Sequence, residues 1–435
     1  MAISADLWQQ YGRLWESSVP DEVWRWASHC VLDWYGVTAI GSSETLSRLL
    51  QDEYVDSVGP ASIVGLGWTA DIRTAALLNG AAAHSMDFDD ANFASHPAAY
   101  VLPAAYAVGQ AEGSSGKEFL AAVLAGYELS YRIDVALGKV IFAKGWHPTK
   151  ALGVFGALAA AGTLMRLSDE EFGNAFGIAA SLSGGLQANF GTMTKPLHAG
   201  LAAEAGITAA RLGRRGITAN PEALESMAGL AELMGDGQVH RDLLDQESDD
   251  WVITRNIFKY HASCLGTHAS IDAALKAAAG GLDPREIDQI RVHVNPRSKR
   301  ICRFDYPKTG LEAKFSIEAT TAMALLEDDL ADPATFSDER VRRQDFTDMM
   351  ARLVFVPEED QKSLQSDVEI DLKDGRRLHG HHDSSIPAAD LDAQEERLTQ
   401  KFLTHATPAL GDKAAGFARR LLDVRSEANV AALVP

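Results

Sequence analysis

Three dipeptides in this sequence join a basic side chain to a proline: His96-Pro97, His147-Pro148 and Lys195-Pro196. Each precedes a run with apolar residues at helical spacing. Proline suits the first helical position and drives the residue before it out of helical conformation, so each basic group is expected at a helix cap. Free N–H groups and the helix dipole attract anions there, and Asp, Ser or Thr is the usual occupant. Three basic residues so placed point to a common anion, and the placement suits a proton acceptor. The competing reading is an exposed loop residue beside an incidental proline. The third pair follows a glycine-containing loop, residues 183–194 (SGGLQANFGTMT), of the kind that brings backbone N–H groups to a ligand. His198 lies one turn beyond and reads equally as a substrate contact or a core histidine.

A second constellation is His84-Ser-Met-Asp87-Phe-Asp89-Asp90. Clustered carboxylates invite a hard cation, and an Asp-rich all-α site is the pattern of magnesium–diphosphate enzymes such as terpene synthases. No second acidic motif follows on a later helix, so the expectation is Asp87 in the pocket, orienting the basic groups, with Asp89 and Asp90 structural and no metal bound. A third cluster runs Lys259-Tyr-His261-Ala-Ser-Cys264-Leu-Gly-Thr-His268. His268 is expected to open the next helix, and Cys264 to be a small buried residue. His379, His381 and His382 follow a turn signal and read as a solvated loop.

The elements that must position these groups fall into two kinds. Helical spacing covers 21–40, 70–86, 117–137, 148–165, 169–182 and 196–215, several rich in Ala and Gly. After about residue 285 the pattern changes. Runs rich in β-branched residues at 289–294 and 352–356, and at 368–372 and 376–379 around Asp374-Gly375, predict strands and a hairpin, with helices at 315–326 and 394–403. The expected fold is therefore mainly α: a large all-helical domain, 1–265 completed by 405–435, and a smaller α+β domain, 266–404. No glycine fingerprint of a nucleotide-binding unit is seen.

Composition narrows the function. The net charge of −20 argues against nucleic acid and requires any pocket for an acidic substrate to be locally positive. Cys30, Cys264 and Cys302 are too scattered for a zinc ribbon or an iron–sulfur cluster. Neither a membrane-length apolar run nor a secretory leader is evident, so the expected location is the cytoplasm.

Taken in order, NGAAAHSMDFDD (79–90), His96-Pro97, GWHPT (145–149), FGTMTKPLHAG (190–200), the Lys259…Cys264…His268 pattern and AKFSIE (313–318) resemble the MmgE/PrpD family across nearly the whole chain. Its members include 2-methylcitrate dehydratase, cis-aconitate decarboxylase and iminodisuccinate epimerase. The resemblance implies a helical domain with a smaller α+β lid, a cleft between them, a homodimer formed by the helical domains, and acid–base catalysis without metal or organic cofactor on a small polycarboxylate. It places pocket positions on Asp87, His96, His147, Lys195, Lys259 and His268. The expected reaction is dehydratase-like, with Lys195 and His147 as the base and acid candidates, in either order, and Asp87 orienting them. His96, Lys259, His268 and His198 are then substrate contacts. Epimerisation of an amino- or imino-dicarboxylate and cis-aconitate-type decarboxylation are the alternatives. Two positions depart from the family: Ala319 stands where members often carry Tyr, and Lys259-Tyr260-His261-Ala262 where the motif often reads Lys-Pro-Tyr-Pro.

Overall fold

Small residues decide how the helices of this protein pack. In the computed structural model, which describes residues 2–246 and 250–435, every residue of the Gly153–Met165 helix is buried. A Cβ on Gly126 would stand 2.9 Å from the carbonyl oxygen of Gly156, and one on Gly156 2.9 Å from that of Gly126. The Gly116–Ala136 and Gly153–Met165 helices therefore meet backbone to backbone. Gly80 and Gly200 do the same for the Ile72–His84 and Thr194–Arg214 helices, since a Cβ on Gly80 would lie 2.9 Å from the Gly200 Cα. Helix starts are set by side chains. Ser115 with Glu118 and Ser168 with Glu171 form reciprocal capping boxes, and Asp71 caps the Ile72–His84 helix.

The described chain divides into two compact units. The first holds residues up to 85, 89–258 and 388–435, and is helical apart from a two-residue antiparallel ribbon, Ala61–Ser62 with Thr69–Ala70. The second holds 86–88 and 259–387. Its sheet runs in the order Leu353–Pro357, Ile287–Val294, Gln365–Leu372, Arg377–Asp383, with the first pair parallel and the others antiparallel. Alternate residues Ser366, Val368, Ile370 and Leu372 are buried, as a sheet covered on one face requires. The Leu265–Ala278 helix supplies that cover. It comes so close that a Cβ on Gly380 would fall 2.0 Å from the Ala273 carbonyl oxygen. Asp374 and Gly375 make the expected turn, with Gly375 at φ +89°. The protein is thus mainly α, with a smaller sheet-containing region.

Four local expectations are corrected. The run 148–165 is two helices, Pro148–Ala151 and Gly153–Met165, broken at Leu152. The helix expected at 394–403 within the α+β part is longer, Leu391–Leu410, and belongs to the first unit. Its Lys401 bonds Asp33 at 2.6 Å and its Gln394 bonds His29 at 2.9 Å, polar groups that pair with the otherwise apolar Asp21–Gly41 helix. His379, His381 and His382 lie inside a strand, not in a loop, and His379 and His381 share the Asp367 carboxylate across it. His268 does not open its helix; Leu265–Ala278 begins three residues earlier. Among the described residues no helix is long and apolar enough to cross a membrane.

Candidate active site

The first unit gathers four histidines and a lysine from four places in the chain. His84 ends the Ile72–His84 helix, His96 precedes the Ala98–Glu112 helix, and His147 caps the short Pro148–Ala151 turn. Lys195 and His198 sit in the first turns of the Thr194–Arg214 helix. Ring centroids of His84 and His96 are 4.5 Å apart, those of His84 and His147 5.9 Å, and those of His147 and His198 5.2 Å. The Nδ1 atoms of His147 and His198 are 3.0 Å apart, a hydrogen bond in which one ring donates. The Lys195 Nζ lies 5.8 Å from the Phe190 ring centroid, and the same ring meets His147 edge to face. His84, His147, His198 and Lys195 are buried, and His96 nearly so.

Local backbone explains these positions. The loop 183–194 does hold the site, but by its carbonyls: the His147 N–H donates to the Gly185 oxygen at 2.9 Å. Gly185 adopts φ +96°, and a Cβ there would lie 2.6 Å from the Lys150 Cβ, so the turn requires glycine. Asp90 fixes the start of the Ala98–Glu112 helix, accepting the Ala98 N–H at 3.1 Å and the Tyr127 hydroxyl at 2.5 Å. Its own carbonyl accepts from His96 Nδ1 at 2.7 Å. The structural role expected of Asp90 is what is seen. Burial raises its carboxyl to about 7.

Two expectations about the site change. Lys195 and Pro196 are the second and third residues of their helix, which starts at Thr194, so Lys195 lies within the first turn and not at a cap. The carboxylate that touches the histidines is Asp89, expected to be merely structural. It is 2.9 Å from His84 Nδ1 and 3.4 Å from His96 Nδ1. Asp87, expected to orient Lys195 and His147, uses its carboxylate on Lys259, at 2.5 Å, inside the second unit. His84 and Asp89 were visible in the motif; the missed signal was a histidine closing a helix with a carboxylate five residues on, close enough to fold back upon it.

Electrostatics favour the neutral form of three of these imidazoles, His84, His147 and His198. Burial, partly opposed by Asp89 and reinforced by Lys195 and His96, pushes His84 down to about 4. Burial also takes His198 to about 4, helped by Lys150 and Lys195. His147 is lowered further by burial and by His84, Lys195, His198 and His96. Neutral imidazoles beside a lysine can accept protons, and the lysine can donate one. A metal is the other occupant such groups accept, through two imidazoles and Asp89. A cavity of about 610 Å³ lies in the first unit, with Arg211, Arg214 and Arg215 in its lining. It sits some 16 residues along the helix from Lys195, roughly 24 Å at 1.5 Å per residue, and no residue named for the site lines it.

Residues 13–242 match the MmgE/PrpD N-terminal domain and 261–423 the MmgE/PrpD C-terminal domain. The chain belongs to the MmgE/PrpD family. Among its relatives are the cis-aconitate decarboxylases of Mus musculus and Homo sapiens. Each is 28% identical over 413 residues, covering 90% of this chain and 84% and 85% of theirs. A cis-aconitate decarboxylase of Aspergillus terreus is 25% identical over 296 residues, 63% of this chain and 60% of its own.

The second unit places the remaining candidates. Lys259 is fully buried and bonds both the backbone oxygen of Asp87, at 3.0 Å, and its carboxylate. Asp87 takes a left-handed φ of +55°, a conformation Asp tolerates. His268 Nε2 reaches the Ser263 carbonyl at 3.3 Å, and its proton affinity is depressed by burial, then by His261 and Lys259. His261 bonds Asp272 at 3.0 Å. Ala319 is wholly buried in the Ile317–Leu325 helix, and Cys264 is a buried thiol.

Proposed function

We infer that this protein is a lyase acting on an aconitate-type tricarboxylic acid, and that its reaction is decarboxylation. The observation that carries the reading is the buried cluster of His84, His96, His147, His198 and Lys195 in a chain whose family relatives are cis-aconitate decarboxylases. The chemistry needed is modest. One carboxylate leaves as CO2, its electron pair moves the double bond along the chain, and a proton is added to the carbon at the far end. The trianion plus one proton gives a dianion plus CO2. The barrier lies in building negative charge beside carboxylates already anionic, and a cation in a water-poor site lowers it. Lys195 supplies both the charge and the proton. The buried imidazoles line the site, and a substrate carboxylate takes a hydrogen bond only from a ring N–H turned toward it. In this reading the reaction needs no metal or organic cofactor.

A second reading, dehydration of a citrate-type hydroxy acid, is favoured by one feature. Neutral imidazoles are bases, and dehydration uses a base to remove a carbon-bound proton while an acid assists the departing hydroxide; decarboxylation needs no base. The test is a panel of cis-aconitate, 2-methylcitrate and an amino-dicarboxylate, followed by NMR in deuterated water. Decarboxylation yields released CO2 and a terminal alkene, with one deuterium fixed on the neighbouring methylene, and is lost in Lys195→Ala. An alkene formed from the hydroxy acid without CO2 selects dehydration. Deuterium exchange alone, with inversion, selects epimerisation, and turnover of none of them overturns the lyase reading.

A further inference from the structure

Hydrogen-bond chemistry fixes where the protons sit on two of the four histidines. His84 Nδ1 faces both oxygens of the Asp89 carboxylate, at 2.9 and 3.0 Å. His96 Nδ1 faces the Asp90 backbone oxygen at 2.7 Å and the Asp89 carboxylate at 3.4 Å. A carbonyl oxygen and an ionised carboxylate only accept. Each Nδ1 must therefore carry its proton, and in a neutral ring the other nitrogen is then a bare lone pair. Burial resists charge on Asp89, but the His84 and His96 N–H groups turned toward it hold its carboxyl well below the usual range, as an acceptor requires. The side chains of His84 and Asp89 are both wholly buried. His84 Nε2 is buried and has no hydrogen-bond partner among the described residues. Leaving a buried acceptor empty is costly, and a site that presents the lone pair to a ligand gives that cost a purpose.

We propose that Asp89 is the positioning residue of the site: it locks His84 as its Nδ1–H tautomer, as the Asp90 carbonyl does His96, so that both Nε2 atoms accept protons or substrate hydroxyls and Lys195 is left to donate. The inference rests on the lyase reading for its chemistry, not for its geometry. It adds His84 and Asp89 to the working residues. It also gives direction to the proton traffic, because an imidazole held as Nδ1–H cannot donate from Nε2 at neutral pH. The groups facing Asp89 are His84, at the end of the Ile72–His84 helix, and His96, before the Ala98–Glu112 helix. Lys195, from the Thr194–Arg214 helix, adds its charge to the field at His84.

The experiment reads tautomers directly. Protein labelled with ¹⁵N-histidine gives a long-range ¹H–¹⁵N spectrum in which Nδ1–H and Nε2–H rings differ in pattern, and His84→Gln and His96→Gln identify the two residues. Both rings of the wild type are expected as Nδ1–H. In Asp89→Asn the amide offers a donor to the same nitrogen. The His84 pattern is then expected to move toward Nε2–H while turnover falls by on the order of 10²- to 10⁴-fold, as when a catalytic histidine is held in the wrong tautomer. An Nε2–H pattern for either ring in the wild type overturns the proposal, as does an Asp89→Asn protein of undiminished turnover. Should Asp89→Asn not fold, the wild-type spectrum decides alone. Nδ1–H rings in a protein that turns over none of the acids would instead sink the lyase reading and leave the role of Asp89 standing.

Discussion

Replacing Gly200 by alanine tests whether the helix crossing that carries the site is as tight as it must be. The Ile72–His84 helix brings His84, and the Thr194–Arg214 helix brings Lys195 and His198; they touch at Gly80 and Gly200. A Cβ on Gly200 would stand 2.2 Å from the Leu77 carbonyl oxygen and 3.1 Å from the Ala81 nitrogen. Both are backbone atoms and cannot swing aside. A comfortable separation is about 3.5 Å, so the helices must part by about 1 Å. Overpacking of this kind costs roughly 1–3 kcal/mol, of which alanine's better helix propensity returns up to about 1 kcal/mol. Displacing catalytic groups by about 1 Å costs on the order of 100-fold in rate. The expected signature is a small loss in urea stability with a large loss in turnover of the accepted acid. Gly416→Ala is the control, since a Cβ there meets nothing within 4 Å, and it should leave turnover unchanged. Turnover of Gly200→Ala within about twofold of wild type would refute the claim that this crossing sets the distance between His84 and Lys195.

The remaining predictions concern charge. His84, lowered from 6.5 to about 4, binds a proton more weakly folded than unfolded, so its contribution is complete above pH 6.5 and lost as pH falls toward 4. The gap corresponds to about 3 kcal/mol. Denaturant titrations between pH 7 and 4 should show wild type losing about that much more than His84→Gln, and equal slopes would discount the buried neutral ring. Glu128, raised to about 7 by burial although Arg132 opposes it, is paired with Arg132 at 3.2 Å with both side chains buried. Arg132→Met should cost about 3–5 kcal/mol at pH 8 and visibly less at pH 6, where the carboxyl takes up a proton. Turnover should survive a chelator; loss restored by a divalent cation would make His84, Asp89 and His96 its ligands.

Much of the fold was legible because periodicity reports burial. The Asp169–Leu182 helix was read to the residue, since Ser168 and Glu171 mark its start and the apolar pattern stops at its end. The strand expected at 368–372 is Gln365–Leu372, three residues longer at its start, and its turn falls at Asp374-Gly375 as read. Leu152 carried no signal of a break, because leucine is itself a good helix former. The helix Leu391–Leu410 was placed with the wrong neighbours for a related reason: Arg25, His29 and Asp33, its partners on the Asp21–Gly41 helix, are more than 350 residues distant in sequence.

The site was legible in its members and misread in its roles. Spacing singled out His96, His147, Lys195 and His198, and they meet. The inference that basic groups at helix starts form a cationic patch does not follow, however, once burial is counted. Desolvation penalises a charged imidazole, and three of the four rings are held neutral by it and by Lys195. The charge that matters is then Lys195, and what distinguishes the histidines is which nitrogen bears the proton. Spacing cannot give that, since a tautomer depends on the acceptor folded against the ring. The acidic run HSMDFDD, which as a sequence invites a metal, divides its carboxylates among three tasks: Asp87 on Lys259, Asp89 on His84 and His96, Asp90 on a helix start and Tyr127. The consequence is testable in a single substitution. If Asp89 were one more cap, exchanging it for asparagine would preserve the site; because it is the acceptor that the His84 ring requires, the exchange should reverse a proton.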